Sequence, residues 1–241
     1  MYETRSNHIS SHHSFFSSCR FIGGERIYGN GSVITQEKQM DGITGVRVKG
    51  GLDIYLSQGP TTSVKIEGEQ NLLEYIEVIK NGNIVEVRKR EGYNLEPSKD
   101  LKVYITAPVL NEFYIDGSSD IKSQTKIKDS STIKSEIHGS GDMMMDVDAP
   151  TIDASISGSG SIILKGNTRN FKGSIAGSGE IKCFDLLSET TDVDIAGSGD
   201  AEVFASRQLN ADIKGAGDVR YKGNGSVNQS IHGSGSVNKV Q

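Results

Sequence analysis

The sequence predicts an all-β fold, a parallel β-solenoid of about seven C-terminal coils of 18–22 residues preceded by further short strands. Three observations carry this expectation. The first is an echo in the second half: Ile115-Asp-Gly-Ser-Ser-Asp-Ile121, Ile137-His-Gly-Ser-Gly-Asp-Met143, Ile156-Ser-Gly-Ser-Gly-Ser-Ile162 and Ile175-Ala-Gly-Ser-Gly-Glu-Ile181. It continues as Ile195-Ala-Gly-Ser-Gly-Asp-Ala201, Ile213-Lys-Gly-Ala-Gly-Asp-Val219 and Ile231-His-Gly-Ser-Gly-Ser-Val237. The leading Ile returns after 22, 19, 19, 20, 18 and 18 residues, and a period near twenty held this long is the mark of stacked units. The second observation is that apolar residues within a coil fall two apart, which is the period of a strand. The third is a content of 29 Gly without any three-residue period, which calls for many tight turns.

Each coil reads from its leading Ile. A variable residue follows, then Gly-Ser-Gly, then a polar and usually acidic residue. An apolar residue stands six after the Ile: Ile121, Met143, Ile162, Ile181, Ala201, Val219, Val237. Two further on, five coils carry Met145, Leu164, Cys183, Val203 and Tyr221, which makes Cys183 a buried core thiol. A third apolar position ahead of the next Ile is read as Ile133, Ile152, Phe171, Val193, Leu209 and Val227. Strands stack at about 4.8 Å, so seven coils make a rod roughly 30 Å long. Gly-Ser-Gly is then a corner: glycine reaches φ > 0 without steric cost, and small residues let stacked backbones approach. Ser119 replaces the second Gly in the first coil and Ala216 the Ser in the sixth, small-for-small changes that fit a steric role.

Residues 32–113 read as an irregular, strand-rich first half. Val46 and Val48 alternate with Arg47 and Lys49, and Leu52, Ile54 and Leu56 with Asp53, Tyr55 and Ser57. Val64 and Ile66, Val85 and Val87, and Leu101, Val103 and Ile105 follow the same rule. Gly50-Gly51 and Gln58-Gly59-Pro60 are turn signals, and Asn81-Gly82-Asn83 between Ile79 and Ile84 is a hairpin cue. The one helical candidate spans Glu69 to Tyr75. Arg88, Lys89, Arg90, Lys99 and Lys102 form a basic cluster near Tyr93. Solvated strand faces are the commoner explanation of such a cluster, and a meeting place for an acidic sugar is the sharper one.

Residues 1–24 read as a disordered or processed arm, polar and rich in His and Ser, with order expected from about Ser32. His8, His12 and His13 offer at most a loose metal site. No apolar block of signal-peptide length is visible, although Phe15-Phe16-Ser17-Ser18-Cys19 faintly resembles the end of a lipoprotein signal, where the Cys is lipidated. Cys19 and Cys183 stand far apart and make no metal spacing.

Composition narrows the function. With 26 basic and 31 acidic residues and a formal charge of −5, the chain shows no basic stripe for nucleic acid. Its apolar runs are too short for a transmembrane segment. The feature that invites chemistry is an outward acidic row, Asp120, Asp142, Glu180, Asp200 and Asp218, interrupted by Ser161 and Ser236. Calcium loops of the nonapeptide type are one reading, but the second half of each coil lacks the motif. A carboxylate pair for polysaccharide cleavage, with Asp200 and Asp218 about 5 Å apart on adjacent coils, is another. The blander reading, outward acids that keep a glycine-rich stack soluble, is favoured. His138 and His232 share a register but lie about 24 Å apart, too far for one metal. Gly139-Ser140-Gly141 and its copies lack the helix and His partner of a nucleophile elbow. No catalytic residue, metal or cofactor is assigned. The stack ends on Val237-Asn-Lys-Val-Gln241, an edge to be capped, charged or paired, so self-association into a homo-oligomer or a structural assembly role stays open.

The pattern as a whole resembles the bacterial auto-transporter adhesin, head GIN domain family. The likeness is carried by Gly29-Asn-Gly-Ser-Val33, Val46-Arg-Val-Lys-Gly-Gly-Leu-Asp-Ile-Tyr-Leu-Ser-Gln-Gly59, Asn71-Leu-Leu-Glu-Tyr-Ile76 and Gly92-Tyr-Asn-Leu95. It runs on through Leu101-Lys-Val-Tyr-Ile-Thr-Ala-Pro108 into the Gly-Ser-Gly coils, covering residues 25–241. The resemblance implies a right-handed parallel β-helix of pectin-lyase-like form without catalytic residues. It further implies export to the cell envelope of Bacteroidales-type bacteria, often as a lipoprotein, and adhesion through a glycan or a surface protein.

Overall fold

The computed structural model describes residues 24–241, so the expectations placed on His8, His12, His13 and Cys19 lie outside the described residues. The second half is the predicted β-solenoid. The seven leading isoleucines form one parallel ladder: Ile115 pairs with Ile137, which pairs in turn with Ile156, Ile175, Ile195, Ile213 and Ile231. After the corner, Ile121, Met143, Ile162, Ile181, Ala201, Val219 and Val237 form a second ladder. All but Ile231 and Val237 of the last coil are buried, so the core is a stack of like upon like. Burial of one such Ile contributes about 1.5–3 kcal/mol, which is why the period, once written, holds.

The ladders run two levels further than the repeat suggests. Val48 pairs with Ile115 on one side and Val87 on the other, and Ile54 with Ile121 and Val103. Val48-Lys-Gly-Gly-Leu-Asp-Ile54 is therefore another copy of the corner, with Leu52 where the second Gly stands elsewhere. The level order is not the chain order: Gly45–Gln58 is sandwiched between Ile84–Ala107 and Glu112–Ser123. Ser119 locks this sandwich. Its buried hydroxyl accepts the backbone N–H groups of Gly51 and Leu52, both at 3.0 Å, so the departure from Gly does more than stay small.

Antiparallel strands close this end of the stack. Ile76–Asn81 folds back on Ile84–Lys89 through Gly82 and Asn83, as the Asn-Gly cue predicts. Only Gly82 of the pair has positive φ, at 64°, which matches a Gly-first hairpin turn. Ser63–Glu69 pairs antiparallel with Lys102–Ala107, and Val33–Lys38 covers it in turn. The expected helix is a single turn, Gln70–Leu73, that buries Leu72 and Leu73. Order also starts earlier than Ser32, because Glu25–Tyr28 runs parallel with Tyr93–Glu96.

One core assignment changes. The residue between Phe171 and Leu209 in the third ladder is Thr191, not Val193. That ladder sits four residues before each leading Ile, and the register overrides hydrophobicity. Val193 stacks instead between Gly173 and Ala211. Thr191 is fully buried, and its hydroxyl is satisfied by Ser188 Oγ and the Phe204 carbonyl, each at 2.7 Å.

Candidate functional site

The corner fixes where every outward side chain goes. Gly139, Gly158, Gly177, Gly197, Gly215 and Gly233 all have φ between 129° and 145°, so each coil turns at the same point. A Cβ on Gly197 would stand 2.2 Å from the Gly177 carbonyl oxygen, so the coils touch backbone to backbone there. With the corner occupied by backbone, the outward rows on either side carry whatever chemistry the chain has.

The acidic row lies just after the corner. Asp120, Asp142, Ser161, Glu180 and Asp200 stand in consecutive register, and Asp218 stands beside Ser236. The row begins one level earlier, at Asp53, which pairs with Asp120 and was hidden by the distance in sequence. Several of its oxygens face the stack. Asp200 Oδ1 accepts the Asp218 N–H at 2.9 Å, and Asp218 Oδ1 accepts the Ser236 N–H at 2.8 Å and hydroxyl at 2.7 Å. Asp120 Oδ1 accepts from Asp142 N–H at 3.4 Å while its other oxygen meets Lys122 at 3.1 Å; Glu180 pairs with Lys182. Asp120, Asp200 and Asp218 thus tie one corner to the next, while Asp120 and Glu180 pair with lysines two residues along.

The wall before the corner is different. Two outward rows run along it: Lys134, Asp153, Lys172, Asp192, Asn210 and Asn228, and beside them Glu136, Ser155, Ser174, Asp194, Asp212 and Ser230. The inward residues between them are small: Ala154, Gly173, Val193 and Ala211. A groove of about 540 Å³ lies between the rows from Lys172 to Asn228, and a further depression of about 200 Å³ extends it past Asp153 to Lys134. Its polar groups form an amide ladder, Asn228 Nδ2 donating to Asn210 Oδ1 at 3.1 Å and Asn210 Nδ2 to Asp192 Oδ1 at 2.6 Å. Lys214, donating to Asp212 at 2.9 Å, holds that carboxyl below the usual range, so it is charged at neutral pH. The signal for this groove was present as small residues alternating with Asp, Asn and Ser, but no single coil shows it.

The other candidates fall into place. Cys183 is buried in the core, its thiol pushed up to about 12 by desolvation. His138 and His232 are five coil steps apart, the first beside Asp116 and Ser157 and the second beside Lys214. The basic cluster divides: Arg88 and Arg90 both bind Glu77, at 2.9 and 3.4 Å, while Lys89, Lys99 and Lys102 face a different depression. Among the described residues, no three of His, Cys, Asp or Glu converge as a metal ligand set.

A family model described as "putative auto-transporter adhesin, head GIN domain" matches residues 42–225. The chain belongs to this family. The matched span takes in the corner at Gly50-Gly51, the antiparallel strands and the coils as far as Gly225. Solved structures agree on the fold. A "putative adhesin" from Bacteroides fragilis NCTC 9343 superposes with a TM-score of 0.82 at 21% identity, covering 89% of this chain and 100% of its own. A "putative lipid binding protein" from Parabacteroides distasonis ATCC 8503 gives 0.76 at 26% identity, covering 90% and 100%. A "putative adhesin" from Parabacteroides merdae ATCC 43184 gives 0.70 at 23% identity, with the same coverage. No curated protein matches the chain.

Proposed function

We propose that this head GIN solenoid is a non-catalytic, cell-envelope protein that serves adhesion by binding an extended glycan along the wall before the corner. The observation that carries the reading is the line of two adjoining depressions from Lys134 to Ser230, which share Lys172 and Asp194. Polar side chains stand at the same two positions of each coil, advancing about 4.8 Å per step: a hydroxyl or carboxylate from Asp153 to Ser230, with amides at Asn210 and Asn228. A polymer of hydroxylated units meets a hydrogen-bonding side chain at each step, along a length that a compact ligand would not use. Family membership supports envelope display and adhesion. Against cleavage stands the engagement of Asp120, Asp200 and Asp218 with the backbone of the next coil. The test is a glycan array with the intact protein, run beside Asn210→Ala. Binding of extended glycans by the wild type, weakened in the variant, supports the reading. An empty array, or release of reducing ends from a bound polysaccharide, overturns it.

A second reading has its own observation. On the wall after the corner, Met144 is 50% exposed beside Ile163, in a depression of about 370 Å³ that also holds Phe184, Lys126 and Lys165. That mixture suits an amphiphile, in line with the lipid-binding description of the Parabacteroides distasonis relative. Dodecanoate titrated into wild type and Ile163→Gln tests it, and equal or absent binding in both sinks it.

A further inference from the structure

The regular corner is missing at one level only. Between Lys89 and Lys102 the chain leaves the stack for an excursion that replaces Gly-Ser-Gly, pairs Tyr93–Glu96 with Glu25–Tyr28, and returns one level below Asp53. The excursion stands as a wall beside the Gly50-Gly51 corner and encloses a depression of about 500 Å³. Three cations reach it: Lys89, Lys99 and Lys102. Lys102 binds Asp100 at 2.7 Å, whereas among the described residues Lys89 and Lys99 make no ion pair, Glu96 acting on Lys89 only from a distance. The Lys89 ammonium lies near the bare backbone of Gly51, 3.8 Å from where a Cβ would be. Tyr55 lines the same depression and stacks on Tyr104, with ring centroids 5.2 Å apart and planes 25° apart. Asp53 stands beside Lys102 in register and completes the set.

We propose that this depression is a subsite for a carboxylated sugar. The chemistry follows from the residue types. An aromatic platform takes the C–H face of a pyranose ring, Asp53 accepts its hydroxyls, and the two unpaired ammonium groups take the carboxylate through charge-assisted hydrogen bonds. A phosphate or other compact anion would leave the tyrosine platform and the hydroxyl-accepting Asp53 unused. Burial lowers the Lys89 pKa, so a carboxylate brought to it offsets a cost the free protein carries. The inference rests on the glycan reading but stands on residues apart from the groove.

The experiment is calorimetric titration of the intact protein with a glucuronic acid oligosaccharide, its methyl ester and the matching glucose oligosaccharide. The acid binds wild type, the ester and the neutral sugar bind at least about tenfold more weakly, and Lys89→Gln and Tyr55→Leu each lower affinity for the acid about tenfold. Arg169→Gln, an exposed change outside both the depression and the groove, leaves acid binding unchanged. Lys99→Gln, at an exposed position, serves in place of Lys89→Gln if that variant unfolds. Equal affinity for acid and ester, no binding of the acid, or loss in Asn210→Ala but not in the lysine variants overturns the proposal. The glycan reading survives each of those results so long as the array shows binding that Asn210→Ala weakens.

Discussion

The carboxylate of Asp200 accepts the backbone N–H of Asp218, the residue in the same register one coil later, at 2.9 Å. The same geometry joins Asp218 to Ser236. An outward acid at this position therefore acts on the next corner as much as on solvent. Asp200→Ala removes an acceptor from a partly exposed N–H and costs about 1 kcal/mol, whereas Asp200→Asn keeps a side-chain oxygen and costs less than half of that. Urea unfolding midpoints of the two variants measure the difference.

Corner glycine and corner serine are not equivalent. Gly197 has φ of 136° and no room for a Cβ, so Gly197→Ala destabilises by about 3 kcal/mol or more. Ser198→Ala changes stability by no more than about 0.5 kcal/mol, since the sixth coil already carries Ala216 there. Thermal denaturation of both variants gives the contrast. A large loss in Ser198→Ala would give the serine a role beyond its size.

Glu69 is 1% exposed and clamps the excursion to the chain ahead of the first coils. It accepts from Ser98 hydroxyl at 2.7 Å and from the N–H groups of Gly31, Ser98 and Lys99 at 2.6, 2.8 and 3.3 Å. The Ser98 hydroxyl leads these contacts in holding its carboxyl below the ordinary 4.5, although burial acts the other way. A lowered folded value means the stabilisation is whole above pH 4.5 and is lost as pH falls through the folded value. Stability measured from pH 7 downward drops below pH 4.5 in wild type, with a shallower drop in Glu69→Gln.

Cys183 is inert while the chain is folded. Its thiol is buried and pushed up to about 12, so almost no thiolate exists at neutral pH. In a Cys19→Ser background, maleimide labels the protein only as denaturant unfolds it, with labelling and loss of circular dichroism following one curve.

The repeat made the winding legible because identical residues stack on identical residues. What hid the rest was sequence distance and polarity. Val48 to Ile54 carries the corner pattern, but 67 residues separate Val48 from Ile115, so adjacency along the stack was invisible. Thr191 reads as surface beside Val193 because a hydroxyl looks exposed until its buried partners, Ser188 and the Phe204 carbonyl, are known. The acidic row was legible as a row, including which acids neighbour one another. Its hydrogen bonds to the next coil were not, since they depend on carboxylate reach rather than on residue type. The groove was not legible, because it gathers residues from several coils that are unremarkable one at a time; of the excursion pocket, the basic cluster shows Lys89, Lys99 and Lys102 but not that Tyr55 and Asp53 stand beside them.

The measurement that bears most directly on the account is the affinity of two double variants for the glycan that binds wild type best. Asp142→Ala with Glu180→Ala alters the acidic row where neither side chain holds the next coil's N–H, since Ser161 and Asp200 donate there to the Gly141 and Gly179 carbonyls. Asp194→Ala with Asn210→Ala alters the groove. Affinity stays unchanged in the first and falls at least about tenfold in the second. Retained affinity in the groove variant with loss in the acidic-row variant would contradict it.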